Sequence, residues 1–370
     1  MLRLQDIDEV NVYSTTDTTL RAYSHSMLNA IATCPTKGLV TYVADKVMHN
    51  SGNRALALEA GSASHECYAA ARLWQVGQHQ ELGRHMDFHG TRLFGADNYK
   101  NMWRSAEDAG DDKRNAMLRF CLEAFYSYGY YDDPSDKRRT FTNIEEALIA
   151  YLDRFDFKRD VWVADKADPS APIGIEIPID VTIEYKFNTD GKSGHAPMPE
   201  PSHDLKLRFI GTADGVSVNK DNTLRLEENK TASRLGEAWA AGWHTSHQQT
   251  GYMLGLSTML GTPIESAAVH GMAIPLPRSY DAGGLMTEVV KRTPAQMSDF
   301  LSWVLYNVQI IDRYGDDPLS APKFTNACGN YFRPCSLIPL CASDEDTRRE
   351  FFDMMEQREL TPTEQAMDGD

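Results

Sequence analysis

Residues 208–232 read RFIGTADGVSVNKDNTLRLEENKTA. Two runs that favour β-structure flank Asn219-Lys220-Asp221-Asn222, a turn composition, so the spacing predicts a β-hairpin. Side chains alternate along a strand, which puts Leu224, Leu226, Glu228 and Lys230 on one face and Arg225, Glu227 and Asn229 on the other. The leucines mark the core side, so Glu228 and Lys230 are expected to be carried inward. Glu227 is expected to be a solvated residue. With residues 220–222 unpaired, Asp214 on the first strand falls opposite Glu228, with Cβ atoms ~5 Å apart. A four-residue loop would put the two acids on opposite faces; the three-residue turn is the expected one.

Two carboxylates that close repel, and one takes up a proton unless a cation compensates. An oxygen-rich site of this kind suits Mg²⁺ or Mn²⁺. The Lys230 ammonium, two residues along the same face, is placed to hold a water or to stabilise charge building on a phosphate oxygen. Acid, acid and lysine around a hard metal is the chemistry of phosphodiester hydrolysis. The alternative is a surface hairpin with an exposed Glu–Lys pair.

Around the hairpin, VWVAD (161–165), IGIEIPIDVTIEYKF (173–187) and LKLRFIGTADGVSV (205–218) also favour strands. Residues 191–203 are a proline-rich loop. Helical spacing covers 24–33 and 55–75, and two further helices within 97–156 are split by the turn-forming DDPSDKRR. Helix resumes from Gly236 to about Leu260, a strand follows at 266–276, then GLMTEVVKR (284–292), and a helix runs from Pro294 to Tyr314. Several strands without crossover helices predict an α/β fold with a mixed sheet flanked by helices, not a doubly wound one. The expected divisions are 1–75 (helical, with Cys34 and His65), a helical insertion at 76–160, a core at 161–342 and an acidic tail at 343–370.

The composition, 42 % hydrophobic and 24 % charged, excludes a disordered chain. No apolar run approaches the ~20 residues of a membrane helix. The first twenty residues carry acids where a signal peptide starts basic, so a soluble, cytoplasmic protein is expected. The 37 basic and 53 acidic residues leave a net charge of −16, of which 343–370 carries −7. This balance weighs against a polyanionic partner without excluding one, because net charge governs solubility and steering, not a single cleft. Of six cysteines, Cys67 and Cys121 lie in apolar helical patterns as buried thiols, Cys34 stands alone, and Cys328, Cys335 and Cys341 crowd into CGNYFRPCSLIPLC.

Gly211-x-x-Asp214-Gly215 followed by Glu228-x-Lys230-Thr231 resembles the metal motif of the PD-(D/E)XK nuclease superfamily. Gly61-Ser-Ala-Ser-His65 resembles the helical G-x-x-x-H motif of its RecB-type branch, which includes CRISPR-associated adaptation nucleases and phage-encoded exonucleases. Gln248-Gln-Thr-Gly-Tyr252 is similar to that branch's Q-x-x-x-Y motif, and Cys34-Pro35 with the cysteine trio resembles its split four-cysteine iron–sulfur set. The pieces span roughly 24–342 in the family's order. One spacing departs from the family: a six-residue gap between Cys328 and Cys335 replaces the usual close step, while Cys335-x₅-Cys341 keeps the final one.

The resemblance implies a PD-(D/E)XK core in which His65 joins Asp214 and Glu228 as a metal ligand and Lys230 positions the attacking water. It implies that Gln248 anchors the site and Tyr252 braces it, and that Cys34, Cys328, Cys335 and Cys341 hold a 4Fe-4S cluster, with zinc as the alternative. Each motif has a plainer alternative: a packed histidine, or a helical i, i+4 pair that simply packs. Glu176 resembles an extra glutamate ahead of the metal Asp, or is a solvated strand residue. The 76–160 insertion, with Trp103, Arg104, Lys113, Arg114, Arg119, Phe125, Tyr126, Tyr128, Tyr130, Tyr131, Lys137, Arg138 and Arg139, suits single-strand threading or a tyrosine-rich helical core. The implied activity is a Mg²⁺- or Mn²⁺-dependent DNA exonuclease acting on single-stranded or frayed ends in recombination or repair, with a helicase or recombination partner. An endonuclease, a CRISPR-adaptation-type trimming nuclease and a non-catalytic DNA-binding scaffold are the alternatives.

Overall fold

A computed structural model describes residues 7–14, 17–47, 56–154, 159–187, 205–276, 284–329 and 334–357. The proline-rich stretch 191–203 and the end of the acidic tail, 358–370, lie outside the described residues.

The chain opens with strands β1 (Ile7–Ser14) and β2 (Ala22–Ser24), helices α1 (His25–Thr33) and α2 (Pro35–Tyr42), and strand β3 (Lys46–Val47). Five helices follow: α3 (Leu56–Gly77), α4 (Gly83–Phe94), α5 (Ala96–Glu107), α6 (Lys113–Ser127) and α7 (Phe141–Arg154). Next come β4 (Asp160–Val161), β5 (Ile175–Phe187), β6 (Leu205–Val218) and β7 (Leu224–Ala232). Helices α8 (Glu237–Trp243) and α9 (His247–Leu260) precede β8 (Ile264–Ala273) and β9 (Leu285–Val290). The remainder is α10 (Pro294–Tyr314), α11 (Ile338–Ala342), α12 (Glu345–Asp353) and β10 (Glu356–Gln357).

The fold is mixed α/β: an open eight-stranded sheet in the order β1-β5-β6-β7-β8-β9, with β2 and β4 also paired to β6, flanked by helices. β6 and β7 pair antiparallel, β7 and β8 parallel, and β8 and β9 antiparallel. The parallel step needs a crossover, which α8 and α9 supply. The single helix expected over 236–260 is therefore two, interrupted at residues 244–246. None of the described helices is long and apolar enough to cross a membrane.

The chain divides into two compact units, which cut across the sequence-based segments. One comprises 1–53, 180–211 and 294–370, and holds α1, α2, α10, α11, α12, Cys34 and the cysteine trio. The other comprises 54–179 and 212–293, and holds α3–α9 with the hairpin. The helices of 76–160 thus belong with the hairpin. Phe120, Cys121, Phe125, Tyr130 and Tyr151 share a buried cluster with Cys67 and Tyr68 of α3, and Trp103 packs against it. Tyr126, Tyr128 and Tyr131 stay exposed. Part of the aromatic stretch is therefore core, because α4–α7 need an apolar face on which to pack.

The hairpin turn carries the register. Asn219 N–H donates to the Thr223 carbonyl at 2.8 Å, Asp221 Oδ1 accepts from Thr223 N–H at 3.2 Å, and Asn222 takes φ +62°. Asparagine tolerates that left-handed state, which a three-residue hairpin loop needs. The ladder Val218↔Leu224 through Gly215↔Glu227 follows in the register expected of the three-residue turn, and it ends one residue short of Asp214 and Glu228.

Candidate metal centre

Every side chain of the centre comes from the unit that contains the hairpin. On α3, His65 Nδ1 lies 3.3 Å from Asp214 Oδ1. Glu176, near the start of β5, completes a group with them: one ligand atom from each of His65, Glu176 and Asp214 lies within 4.8 Å of the others. Glu176 has φ +47°. Few residues with a side chain adopt that backbone state, and it recurs at functional sites.

On β7, Glu228 Oε1 accepts from Lys230 Nζ at 2.5 Å and from Gln248 Nε2 of α9 at 3.2 Å. Its other oxygen, Oε2, is buried with no hydrogen-bond partner. Such an atom is costly to bury unless something else binds it. Tyr252, one turn along α9, is buried beside Gln248 and Glu228. Glu228 and Lys230 of the hairpin thus lie beside Gln248 and Tyr252 of α9, the two residues that the resemblance named. Among the described residues the group at ligand spacing is His65, Glu176 and Asp214, so Glu176 stands where the resemblance puts an extra glutamate, and Glu228 lies outside that group. Gly61, the other named residue of the helical motif, is not sterically required, since a Cβ there would stand 3.6 Å from Thr231 Oγ1 in ordinary contact.

The centre has more acid than its own bases can neutralise. Burial, and then the Asp214 charge, push Glu176 up to about 8 and Glu228 up to about 7. Asp214 keeps its charge: burial opposes ionisation, but His65 and Lys230 overcome it and hold the group near about 2. In return, His65 rises to about 9 despite burial, through the Asp214 carboxylate. For Lys230 burial works against the charge, yet Glu228 and Asp214 hold the ammonium well above its usual range. Glu176 and Glu228 thus hold protons more firmly than free carboxylates do. The donor set of two or three carboxylates and one imidazole suits Mg²⁺ or Mn²⁺.

Glu227 is a correction. Expected in solvent, it is 2 % exposed. β7 lies between β6 and β8, and both of its faces are covered. α9 covers one face, where Gln248 meets Glu228; α3 and α7 cover the other, where Arg72 Nη2 lies 3.9 Å from Glu227 Oε2. Arg225 Nε donates to Glu227 Oε1 at 2.8 Å, His270 Nε2 lies 2.7 Å from Oε2, and the Ser217 hydroxyl donates to Oε1. Gly215 permits this packing, because a Cβ there would come within 2.9 Å of Arg72 Nε.

Two supporting residues escaped the sequence reading. Asn229 donates to Asp214 Oδ2 through its backbone N–H at 2.5 Å and its Nδ2 at 3.3 Å, and accepts at Oδ1 from the Tyr151 hydroxyl at 2.8 Å. A signal for Asn229 existed: EENK places four polar residues in succession on a strand, which suits a buried network better than a half-solvated face. Tyr151 had none, being 78 positions from Asn229.

In the other unit, Cys34 is buried at the start of α2, ahead of Pro35. Cys335 and Cys341 pack against Val40, Leu337 and Leu340, and Cys335 N–H donates to the Cys328 carbonyl at 2.8 Å. Burial raises the Cys341 thiol, Lys323 opposes this, and Cys34, Cys335 and Cys328 add to it. The four cysteines share one neighbourhood, but among the described residues they do not form a group at single-ion ligand spacing. Zn–S bonds of about 2.3 Å would require that spacing. Cys67 and Cys121 are fully buried thiols, as expected. A scan of the chain against protein-family models finds no match, and a search of curated proteins finds none either.

Proposed function

We propose that this chain is a Mg²⁺- or Mn²⁺-dependent nuclease with a PD-(D/E)XK core, acting as a DNA exonuclease on single-stranded or frayed ends. The observation that carries the reading is the convergence of His65, Glu176 and Asp214 to ligand spacing, with Lys230 and the unpartnered Glu228 oxygen alongside. His65, Glu176 and Asp214 would hold the ion, with Glu228 Oε2 as a further donor. Bound there, the ion would lower the pKa of water and neutralise charge developing on the phosphate. Lys230 supplies a fixed ammonium to hold the attacking water or the phosphate oxygen. Gln248 fixes the Glu228 carboxylate, and Tyr252 packs behind it.

The choice of DNA ends rests on the motif resemblance, as do a cytoplasmic location and a helicase or recombination partner. The four cysteines enter the proposal as a 4Fe-4S site. The choice of an iron–sulfur cluster over zinc rests on the resemblance, and the mutual influence of the four thiols supports only their nearness. Iron and acid-labile sulfide at about four each per chain after anaerobic purification would support this, and a zinc-loaded, sulfide-free protein would refute it.

The deciding assay incubates end-labelled linear DNA and closed circular DNA with Mn²⁺, with and without EDTA. Linear DNA should be consumed from its ends, circles should persist, and EDTA should stop the reaction. Nicked circles would make the protein an endonuclease. Binding without cleavage of any DNA would make it a scaffold.

A further inference from the structure

The two oxygens of Asp214 have different partners. Oδ1 lies 3.3 Å from His65 Nδ1. Oδ2 accepts from the Asn229 backbone N–H at 2.5 Å and from Asn229 Nδ2 at 3.3 Å. Asn229 Oδ1 in turn accepts from the Tyr151 hydroxyl at 2.8 Å. Asn229 and Tyr151 are both buried, so bulk water does not compete for these bonds. The direction of the chain is fixed at both ends. A backbone N–H already marks Asp214 Oδ2 as an acceptor, so the amide must turn its N–H side there. The amide oxygen then faces Tyr151, whose phenol burial keeps protonated and able to donate. Without the hydroxyl, the amide loses the partner that holds its oxygen away from Asp214. A reversed amide would set oxygen against the carboxylate.

Tyr151 is itself held by ring packing. Its ring centroid lies 4.6 Å from that of Tyr68, and Tyr68 meets the His65 ring edge-on at 5.7 Å. Tyr68 follows His65 by one turn of α3, and Tyr151 belongs to α7. Ring pairs at such separations prefer defined tilts, which fixes where the Tyr151 hydroxyl stands. His65 and Asp214 are therefore braced from one aromatic pair, and all of these residues lie in the unit that contains the hairpin. Contacts of this outer kind orient the groups that bind a metal. An oxygen that already accepts two hydrogen bonds has little left to give a cation, which leaves Oδ1.

We propose that Asn229 and Tyr151 are positioning residues of the metal centre: Tyr151 locks the Asn229 amide, and Asn229 occupies Asp214 Oδ2 so that Oδ1 faces the cation beside His65. The inference rests on the metal-centre reading above and extends it to α7, a helix of the 76–160 insertion. It requires no turnover, only binding of the ion.

The test is Mn²⁺ binding to the full chain without DNA, read from the electron paramagnetic resonance signal of the free ion. The wild type should bind Mn²⁺, and Asp214→Ala should lose that binding. Tyr151→Phe keeps the ring and its packing on Tyr68, and should weaken Mn²⁺ binding by about three- to tenfold. Asn229→Leu should weaken it by about 10–100-fold, the range for groups that orient metal ligands. Because Tyr151 acts through Asn229, adding Tyr151→Phe to Asn229→Leu should change the affinity by less than about twofold. Melting curves in EDTA check that each variant is folded. A merely structural role would lower the melting temperature and leave the affinity of the folded protein unchanged. Wild-type affinity in folded Tyr151→Phe would overturn the inference, as would losses that multiply in the double variant. A wild type that binds no Mn²⁺, or Asp214→Ala that binds it equally well, would instead overturn the metal centre and this inference with it.

Discussion

Glu227 and Glu228 are adjacent on β7 and almost equally buried, 2 % and 1 % exposed, yet they reach opposite electrostatic states. Glu227 is held down to about 2: burial resists its charge, but the His270 hydrogen bond and the Arg72 and Arg225 charges prevail. Glu228 is pushed up to about 7 by burial and by Asp214, with Lys230 offsetting only part of that. Burial therefore does not decide the state of a carboxylate; the charges that its face of the sheet collects do. One side of the strand sets Glu228 against another acid, Asp214; the other sets Glu227 against His270, Arg72 and Arg225.

The largest effect should come from the acid-rich side. Asp214→Ala removes the centre's one low-pKa carboxylate and should lower Mn²⁺-dependent DNA cleavage by about 10³-fold or more. Cleavage at the wild-type rate would remove the functional meaning of that face. On the base-rich side, Glu227→Gln leaves Arg225 and Arg72 buried against a neutral group. It should cost about 3–5 kcal/mol in urea unfolding. Glu228→Gln should cost clearly less, because the folded protein already disfavours that charge. Equal losses in the two variants would erase the contrast.

The pH dependence divides along the same line. Glu227 has a depressed folded pKa, so its contribution is full above about pH 4.5 and is withdrawn as pH falls toward about 2. Glu228 and Glu176 are raised, to about 7 and about 8, and the metal-free protein should lose stability as pH rises through 4.5 toward those values. His65, raised to about 9, adds a loss between 6.5 and about 9. Melting temperature against pH in EDTA should thus decline on the alkaline side, and Mn²⁺ should remove the decline by displacing the protons. A flat profile without metal would contradict the surplus of acid. The smallest change expected is a loss of about fivefold in cleavage for Gln248→Ala, which removes one neutral hydrogen bond to Glu228.

Much of the acid-rich side was legible in the chain. Alternation along β7, together with a turn that accommodates Asn222 at positive φ, sets the register up to Gly215↔Glu227, next to Asp214 and Glu228, and keeps Lys230 on the face of Glu228. The helix bearing His65 and the helix bearing Gln248 and Tyr252 were legible as apolar periodicity, and their motifs pointed to the centre before any contact was known. Glu176 was legible only through the resemblance, and strand alternation left it equally open to solvent. Its place in the ligand group depends on its left-handed backbone at the start of β5, which strand periodicity does not foresee.

The base-rich side was misread for a definite reason. Alternation says which residues share a face but not what will cover it. Glu227 looked solvated because a hairpin by itself has one wet face; β8, α3 and α7 made that face an interior. Tyr151 meets Asn229, and Arg72 meets Glu227, only because helices distant in sequence pack on the sheet. The amino-acid sequence by itself determined the strand register and the residues that point with Glu228, since both follow from local sterics and a period of two. Only the tertiary structure decided which charges surround each acid, because that depends on long-range packing between segments with no local pattern in common.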